Sequence, residues 1–350
     1  MELLKDTIKR IEPVDSEAME KARERQDDLT KPRGSLGKLE DISIKLAGIQ
    51  GNAIPEIKNK VVFTFAGDHG IVEEGISAYP GEVTKQMVLN FLNGGAAINV
   101  LARHVNARVV VADLGISGDI EAPGLIVKKV GYGTRNFARE PAMTRAQAVE
   151  AIEAGIEIFN EQFRGAELIA LGDMGIGNTT SSSAICSAIT GRTPEEVTGR
   201  GTGIGEEAYR KKVTIIEKAL ELHKPEGKDA IDVLSKVGGF EIAGLAGVTL
   251  AAASNRVAVV SDGFISTTGA LIAHTLNPDV SDYIFAAHRS VERGHKIILE
   301  HMKLEPVLDL NLRLGEGTGA ALAMSIIEAG VKILREMATF SGAGVSKTVE

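Results

Sequence analysis

The sequence predicts an α/β protein built on a mostly parallel, doubly wound sheet, with a smaller helical domain formed from the chain termini. Five short, almost wholly apolar runs occupy residues 60–65, 108–112, 167–170, 256–260 and 283–286. Longer helical patterns alternate with these runs, as in βαβ units. Within three residues, each run is followed by Asp, His or Gly. These residues should meet at one edge of the sheet, where Rossmann-like folds bind their ligands.

Helical patterns around these runs predict the remaining elements. Two N-terminal helices are expected at 17–25 and 42–49, separated by a loop rich in helix breakers at 31–35. Further helices are expected at 84–102, 144–163 with Thr144 as N-cap, 206–222, 239–253, 290–302 with Ser290 as cap and Glu292 and Glu300 exposed, and 319–337.

The composition argues against several classes of function. The 350 residues carry a formal net charge of −8, whereas proteins that track nucleic-acid phosphates need a basic face. No apolar stretch reaches about eighteen residues, so we expect no membrane span. The first residues are charged and lack a signal-peptide core. Cys186 is the single cysteine and fits the reducing cytoplasm as a small core residue.

Glycine-dense loops ahead of predicted helices indicate an anion site. Gly175-Ile176-Gly177 follows a predicted strand, and residues 199–205 precede a predicted helix. Backbone N–H groups in such loops bind phosphates. Additional hydroxyl donors are Thr179, Thr180 and Thr202.

Lys212 lies two predicted helical turns beyond Gly205, where its charge would neutralise a phosphate. The alternative is a solvated lysine on a helix surface.

One carboxylate stands within a third glycine-rich loop, as Gly315-Glu316-Gly317. Glycines let a backbone approach a ligand closely, and the start of the next helix favours negative charge. Glu316 is therefore an acid placed where negative charge already gathers, so we expect its pKa to be raised, which suits a general base. A tight turn with a solvated glutamate is the alternative interpretation.

Other catalytic signatures lack support. No predicted strand directly precedes the 199–205 loop, so a dinucleotide fingerprint is not expected. Asp68-His69 suggests a metal, but the remaining histidines show no ligand spacing. We therefore interpret His69 as a polar residue that fixes a strand-end turn, and we expect neither a metal site nor a cofactor.

Several segments together resemble one enzyme family, the nicotinate-nucleotide:dimethylbenzimidazole phosphoribosyltransferases, or CobT family, of cobalamin assembly. These segments run in order through most of the chain. They are KPRGSLG at 31–37, DHG at 68–70, GGAAINVL at 94–101, GIGNTT at 175–180, DVLSKVGGF at 232–240, DGF at 262–264 and RLGEG at 313–317.

The resemblance implies a reaction. Nicotinate mononucleotide gives up nicotinate, and its phosphoribosyl group passes to 5,6-dimethylbenzimidazole or a related base. The products are α-ribazole 5′-phosphate and nicotinate. A non-catalytic nucleotide-phosphate sensor, and a phosphoribosyltransferase for another azole or phenolic base, remain alternatives.

The resemblance also implies a set of site residues. Glu316 is the expected catalytic base. Expected substrate-binding residues are Asp173, Gly175, Gly177, Asn178, Thr179, Gly203, Lys212, Asp262, Ser290, Gly315, Tyr79 and Met87. Asp173 stands where the family pattern has Glu, and some relatives place Ser at Tyr79 and Gln at Met87. A core role for Met87 is the alternative.

We expect two domains. The larger, α/β and substrate-binding, spans 58–302. The smaller, helical and discontinuous, combines 1–57 with 303–350, and the catalytic loop 313–319 lies at the junction. The expected partners are small-molecule substrates, with no nucleic acid and no membrane. The family resemblance further implies a homodimer.

Overall fold

A single parallel sheet forms the centre of the protein. The computed structural model describes residues 1–201 and 203–346, so the expectation for Thr202 lies outside the described residues. Within them the strands are β1 Lys60–Gly67, β2 Ala107–Gly115, β3 Leu125–Val127, β4 Leu168–Met174, β5 Ala258–Ser261, β6 Ile284–His288 and β7 Pro306–Leu308. Their order is β3-β2-β1-β4-β5-β6-β7, and every pairing is parallel. The predicted doubly wound α/β class is confirmed.

All five predicted strands are present, and two short edge strands are additional. β3 and β7 have three residues each, too few to show a period in the sequence. β7 also begins with Pro306, which is compatible with an edge strand but weakens a strand prediction.

Helices connect and cover these strands. They are α1 Glu2–Lys9, α2 Ser16–Asp28, α3 Lys38–Gln50, α4 Glu82–Leu92, α5 Ala97–His104, α6 Arg145–Gln162, α7 Asn178–Thr190, α8 Pro194–Val197, α9 Glu206–His223, α10 Ala230–Val237, α11 Phe240–Ser254, α12 Phe264–Leu276, α13 Arg293–His301, α14 Thr318–Glu336 and α15 Phe340–Ala343, with 3₁₀ turns at Gly70–Glu74 and Pro278–Tyr283. Thr144 caps α6 as expected, accepting a hydrogen bond from the N–H of Gln147 at 3.1 Å.

Two helix predictions are wrong in their bounds. The helix expected at 84–102 is two helices, because Gly94 adopts a positive φ of 75° between α4 and α5. The helix expected at 290–302 begins only at Arg293, with Glu292 as its N-cap residue. Ser290 Oγ instead accepts a 3.4 Å hydrogen bond from the N–H of Glu292 in the preceding turn. Glu292, expected to be exposed, is buried.

The helices cover both faces of the sheet. A Cβ on Gly244 of α11 would touch the ring of Phe65, whereas a Cβ on Gly317, before α14, would touch Val62. Since alternate side chains of β1 point to opposite faces, α11 and α14 lie on opposite sides. The loop that carries Glu316 therefore approaches β1 and β4 from the α14 side.

The chain termini pack together. α2, α3 and α14 share a small core of Ala22, Ile44, Ala47 and Leu334, and Leu29 and Thr339 form an isolated antiparallel bridge. However, β7 pairs with β6 and α14 contacts the sheet. The division at 57/58 and 302/303 thus remains a prediction. No helix within the described residues is long and apolar enough to cross a membrane.

Candidate active site

A cavity opens at the carboxyl edge of the sheet. Its volume is about 640 Å³, within the range of small-molecule sites. It lies beside the switch point between β1 and β4, where consecutive crossovers diverge and α/β proteins bind ligands. The lining residues are Tyr79, Val83, Met87, Asp173, Met174, Gly175, Ile176, Asn178, Thr179, Gly201, Gly263, Phe264, Ile265, His288, Ser290, Glu292, Asn311, Leu312, Arg313, Leu314, Gly315 and Glu316.

Glu316 is a buried wall residue of this cavity. It is only 5% exposed, so the alternative of a solvated glutamate is wrong. Its Oε2 accepts a hydrogen bond from the backbone N–H of Ile98, at 3.3 Å, in the first turn of α5. Burial raises the pKa of Glu316, the Ile98 contact opposes the rise, and the charge of Asp262 adds to it. The expected direction is thus confirmed, although the helix that meets the carboxylate is α5 rather than α14.

The backbone around Glu316 is held in an unusual conformation. Gly315, Glu316 and Gly317 have positive φ values of 87°, 65° and 95°. For Glu316 the left-handed conformation costs roughly 1–2 kcal/mol, and such strain persists only where the surroundings enforce it. The flanking glycines adopt it at little steric cost.

Strands on either side enforce this conformation. Thr64 Oγ1 of β1 donates a hydrogen bond to the carbonyl oxygen of Glu316 at 3.2 Å. A Cβ on Gly172 of β4 would lie 2.3 Å from that same oxygen, so the strand must carry glycine there. Asp262, at the end of β5, accepts hydrogen bonds from the N–H groups of Gly317 and Ala320 at 3.1 and 2.9 Å.

Asp173 lies directly beside the Glu316 loop. Its two carboxylate oxygens lie 3.3 Å from the position of a Cβ on Gly315. Oδ2 accepts a hydrogen bond from Asn178 at 3.0 Å, while Oδ1 is buried without a partner. Burial raises the pKa of Asp173 well above its usual range, and the charges of Asp262 and Glu241 add to the rise. The site therefore favours an uncharged Asp173.

A second corner of the cavity is suited to an anion. α7 begins at Asn178 after Gly177, whose φ is 95°, and the start of a helix favours a negatively charged ligand. Lys212 is 1% exposed and donates a hydrogen bond to Thr179 Oγ1 at 2.8 Å. The alternative of a solvated lysine is wrong. Burial lowers the pKa of Lys212 to about 8.

Ser290 is oriented by a neutral histidine behind it. Its N–H donates a hydrogen bond to His295 Nδ1 at 3.1 Å. Burial, with a smaller effect from His288, lowers the pKa of His295 to about 3, so the ring is uncharged. Nδ1 then accepts, and Nε2 is left to donate to Thr267 Oγ1 at 3.1 Å.

Another part of the cavity wall is apolar. Tyr79 precedes α4, and Val83 and Met87 lie on it. Met87 is partly buried and packs against the core, and it also lines the cavity; its contact with substrate stays a prediction. This apolar wall and the anion corner are built by different segments of the chain, around 79–87 and 175–212, which meet where Ile176 N–H donates a hydrogen bond to Thr84 Oγ1 at 3.1 Å.

The structure brings most of the predicted site residues to one cavity. Nine of them line it: Tyr79, Met87, Asp173, Gly175, Asn178, Thr179, Ser290, Gly315 and Glu316. Four do not. Gly177 precedes α7, Lys212 lies behind Thr179, Gly203 is exposed near Arg313, and Asp262 is fully buried beneath the Glu316 loop.

Sequence reasoning missed three charged or titratable lining residues. His288 ends β6 and Arg313 opens the Glu316 loop, positions that were visible as a strand end and a motif edge. Glu292 was assigned to an exposed helix face because the start of α13 was placed too early. A later helix start would have put it in the turn after β6.

His69 and Cys186 lie outside the cavity lining. His69 Nε2 hydrogen-bonds Glu241 Oε1 at 2.7 Å, and Nδ1 hydrogen-bonds Ser181 Oγ at 2.9 Å. The ring thus joins three elements rather than its own turn alone. Cys186 is a buried core residue, as predicted, and burial raises its pKa to about 12. Within the described residues, no group of three or more His, Cys, Asp or Glu side chains could hold a metal ion.

Comparison with known proteins identifies the family of this chain. A family model described as phosphoribosyltransferase matches residues 11–345. The chain belongs to this phosphoribosyltransferase family. A nicotinate-nucleotide–dimethylbenzimidazole phosphoribosyltransferase of Geobacter sulfurreducens is 59% identical over 99% of both chains. The protein of the same name from Roseiflexus sp. is 57% identical over 100% of both.

A solved structure shares the fold over nearly the whole chain. The crystal structure of CobT from Thermus thermophilus superposes with a TM-score of 0.92 at 48% identity, covering 95% of this chain and 100% of that one. The family resemblance inferred from the sequence motifs is therefore confirmed.

Proposed function

We propose that this protein transfers the 5-phosphoribosyl group of nicotinate mononucleotide to 5,6-dimethylbenzimidazole. The products are nicotinate and α-ribazole 5′-phosphate, in the assembly of the cobalamin nucleotide loop. The observation that carries the proposal is the buried Glu316 carboxylate, with its raised pKa, in the wall of a cavity that also has an anion corner. The names of the Geobacter and Roseiflexus relatives support the same reaction.

The chemistry follows from the anion corner and the apolar wall of the cavity. The phosphate binds near Thr179 and Lys212, at the start of α7. The planar base lies against Tyr79 and Met87, whose side chains suit an aromatic ring. Asp173 and Ser290 also line the cavity, where they can contact the ribose or the leaving base.

In the reaction, one benzimidazole nitrogen attacks C1′ of the ribose while the bond from C1′ to the pyridinium nitrogen breaks. The bonding pair returns to nicotinate, which leaves as a neutral ring nitrogen and needs little acid assistance. The N–H proton on the second benzimidazole nitrogen passes to the Glu316 carboxylate. Attack from the face opposite the leaving group converts the β-nucleotide to an α-linked product.

The buried Glu316 carboxylate also favours the electronics of transfer. Positive charge moves from the pyridinium ring towards C1′ and the attacking base as the bond breaks. Fixed carboxylates in a poorly solvated site stabilise such developing charge. Glu316 lies beside the base, so its negative charge stabilises this positive charge. When Glu316 removes the N–H proton, the benzimidazole ring becomes neutral.

The direct test is incubation with nicotinate mononucleotide and 5,6-dimethylbenzimidazole, followed by chromatography of nicotinate and the ribazole product. We expect both products in equal amounts, and their loss in Glu316→Gln. Binding of nicotinate mononucleotide without nicotinate release would favour the nucleotide-sensor alternative. A panel of azoles, purines and phenols would show whether another base is preferred.

A homodimer in the cytoplasm completes the proposal. The family resemblance implies the dimer, and exposed Val291, Leu310 and Leu314 near the cavity offer apolar surface for a second copy. A single buried thiol, Cys186, fits a reducing compartment. Light scattering of the purified protein and cell fractionation test these two points.

A further inference from the structure

Glu292 is a buried carboxylate that none of the proposed chemical steps uses. It is 7% exposed and lines the cavity just before α13. Oε1 accepts a hydrogen bond from the backbone N–H of Gly201 at 2.9 Å, whereas Oε2 is buried with no partner. A carboxylate in this setting is costly unless something offsets its charge.

The carboxylate is directed at the 199–201 backbone rather than at the centre of the cavity. A Cβ on Gly199 would lie 1.9 Å from Oε2 and 2.6 Å from Cδ of Glu292. Because Gly199 has no side chain, Oε2 of Glu292 can occupy this position. This packing makes a ribose hydroxyl an unsuitable partner for Oε2, because the loop already covers that oxygen.

Gly201 links Glu292 to the anion corner. A Cβ on Gly201 would lie 2.8 Å from Thr179 Oγ1 and 3.5 Å from Lys212 Nζ. Its N–H is bound by Glu292, so one residue contacts the carboxylate on one side and the Thr179–Lys212 pair on the other.

We propose that Glu292 is a positioning residue, which fixes the 199–201 backbone against the anion corner and supplies the counter-charge of Lys212 there. The inference rests on the proposed function, since it takes the phosphate of nicotinate mononucleotide to bind at this corner. Glu292 acts on the phosphate through Lys212 and Gly201, not by direct contact.

Electrostatics support this assignment. Burial lowers the pKa of Lys212 to about 8, and the charge of Glu292 acts in the opposite direction. Lys212 is therefore mostly an ammonium ion at neutral pH, but only by a small margin. Without the charge of Glu292, the pKa of Lys212 falls further and the phosphate meets a neutral amine.

The other ionisable groups around Lys212 are the buried thiol of Cys186, the partly exposed Tyr209 and a set of charged surface side chains. α7, which packs against α9, carries Cys186 as its titratable side chain, and α8 carries Glu195 and the Arg192-paired Glu196. Arg200 on the loop pairs with Glu206 of α9, and Glu206 also pairs with Arg210. Arg293 of α13 donates a hydrogen bond to the hydroxyl of Tyr209 on α9. Burial and Glu292 are the two causes that shift Lys212.

The test compares Glu292→Gln with Glu300→Gln, an exposed carboxylate on α13. The glutamine keeps the shape and an acceptor for Gly201 but removes the charge. Binding of nicotinate mononucleotide is measured by calorimetry between pH 6.5 and 8.5, together with kcat/KM for this substrate. We expect Glu292→Gln to weaken binding little at pH 6.5 and about three- to tenfold at pH 8.5, because the pKa of Lys212 falls and less of it is charged at the higher pH. The kcat of Glu292→Gln at saturating substrates should equal that of the wild type. Glu300→Gln should match the wild type in binding and in kcat/KM at every pH.

Two outcomes would overturn the inference. The first is an unchanged pH dependence of binding in Glu292→Gln. The second is a loss of affinity by the same factor at every pH, which would mean that Glu292 acts through its shape and not through its charge. If this variant does not fold, Glu292→Asp serves instead. It keeps the charge, so binding should weaken while the alkaline limb stays in place, and a limb shifted to lower pH would contradict the proposal. A wild type that binds nicotinate mononucleotide without turnover would refute the proposed reaction and leave the calorimetric test of Glu292 intact.

Discussion

The Asp262 carboxylate accepts a hydrogen bond from the backbone N–H of Gly317 at 3.1 Å, one residue after Glu316. Asp262 is fully buried at the end of β5, and it also accepts a hydrogen bond from the N–H of Ala320. It therefore joins the sheet to the loop that carries the proposed base. In this geometry Asp262 acts on Glu316 through the backbone rather than by contact with substrate.

Replacing Asp262 with Ala should lower both stability and turnover. Two buried N–H groups would lose their acceptor, at a cost of about 1–3 kcal/mol each, and the loop would no longer be fixed. We expect a lower thermal midpoint, with a fall in kcat larger than any rise in KM. Asp262→Asn keeps one acceptor and should be intermediate. An alanine variant with wild-type kcat would show that this contact does not position Glu316.

Glu316→Gln should abolish proton transfer while leaving binding intact. The amide keeps the size of the side chain but cannot accept the benzimidazole proton, so kcat should fall about 10²- to 10⁴-fold. KM for both substrates should change little. Because the base must be ionised and burial raises its pKa, wild-type kcat should decline with falling pH at values above 4.5, the ordinary pKa of a glutamate. The residual activity of the variant should lack this decline. If that activity still falls with pH in the same way, the decline belongs to another group.

Asp173→Asn should stabilise the fold at neutral pH and reduce activity. The pKa of Asp173 is raised in the folded protein, so its ionisation destabilises the fold as the pH rises above 3.8, the unfolded value. Below that pH the group is protonated in both states and costs nothing. The thermal midpoint of Asp173→Asn should therefore equal that of the wild type at pH 4 and exceed it at pH 7. Asp279→Asn, at an exposed carboxylate, is the control, and equal midpoints of Asp173→Asn and wild type at pH 7 would contradict the argument.

Gly172→Ala tests whether β4 sets the position of Glu316. The new Cβ would lie 2.3 Å from the Glu316 carbonyl oxygen, and overpacking of this kind costs about 1–3 kcal/mol. We expect a moderate loss of stability and a larger loss of kcat, because the loop must move away from the strand. Gly118→Ala, where the nearest atom is 3.8 Å away, should leave both unchanged. Loss of stability with full activity would mean that the strand yields instead of the loop.

Much of the fold was predictable because its signals are local. The buried strands are continuous apolar runs, and Thr144 marks the start of α6 with a hydroxyl and a glutamine three residues later. The break between α4 and α5 was missed because apolar residues continue on both sides of Gly94 and Gly95. Edge strands β3 and β7 depend on pairing with distant residues, which three-residue segments do not reveal.

The candidate site was predictable where a motif marks it. Glu316 and the 175–179 segment stand out by their glycines. Glu292 and His288 owe their place to where β6 ends and α13 begins, and a shift of three residues in a helix start is enough to hide them. The burial of Lys212 likewise depends on packing against α7, because its sequence neighbours are those of an ordinary surface helix.

The apolar wall and the anion corner come from different segments of the chain, and this has a practical consequence. The apolar wall is formed by residues around 79–87, and the anion corner by residues within 175–212. Exchanging only the former segment between relatives should transplant the choice of aromatic acceptor while the nucleotide donor is held as before. Acceptor range and donor affinity are thus adjustable one at a time, which makes this scaffold a convenient starting point for preparing unnatural ribosides.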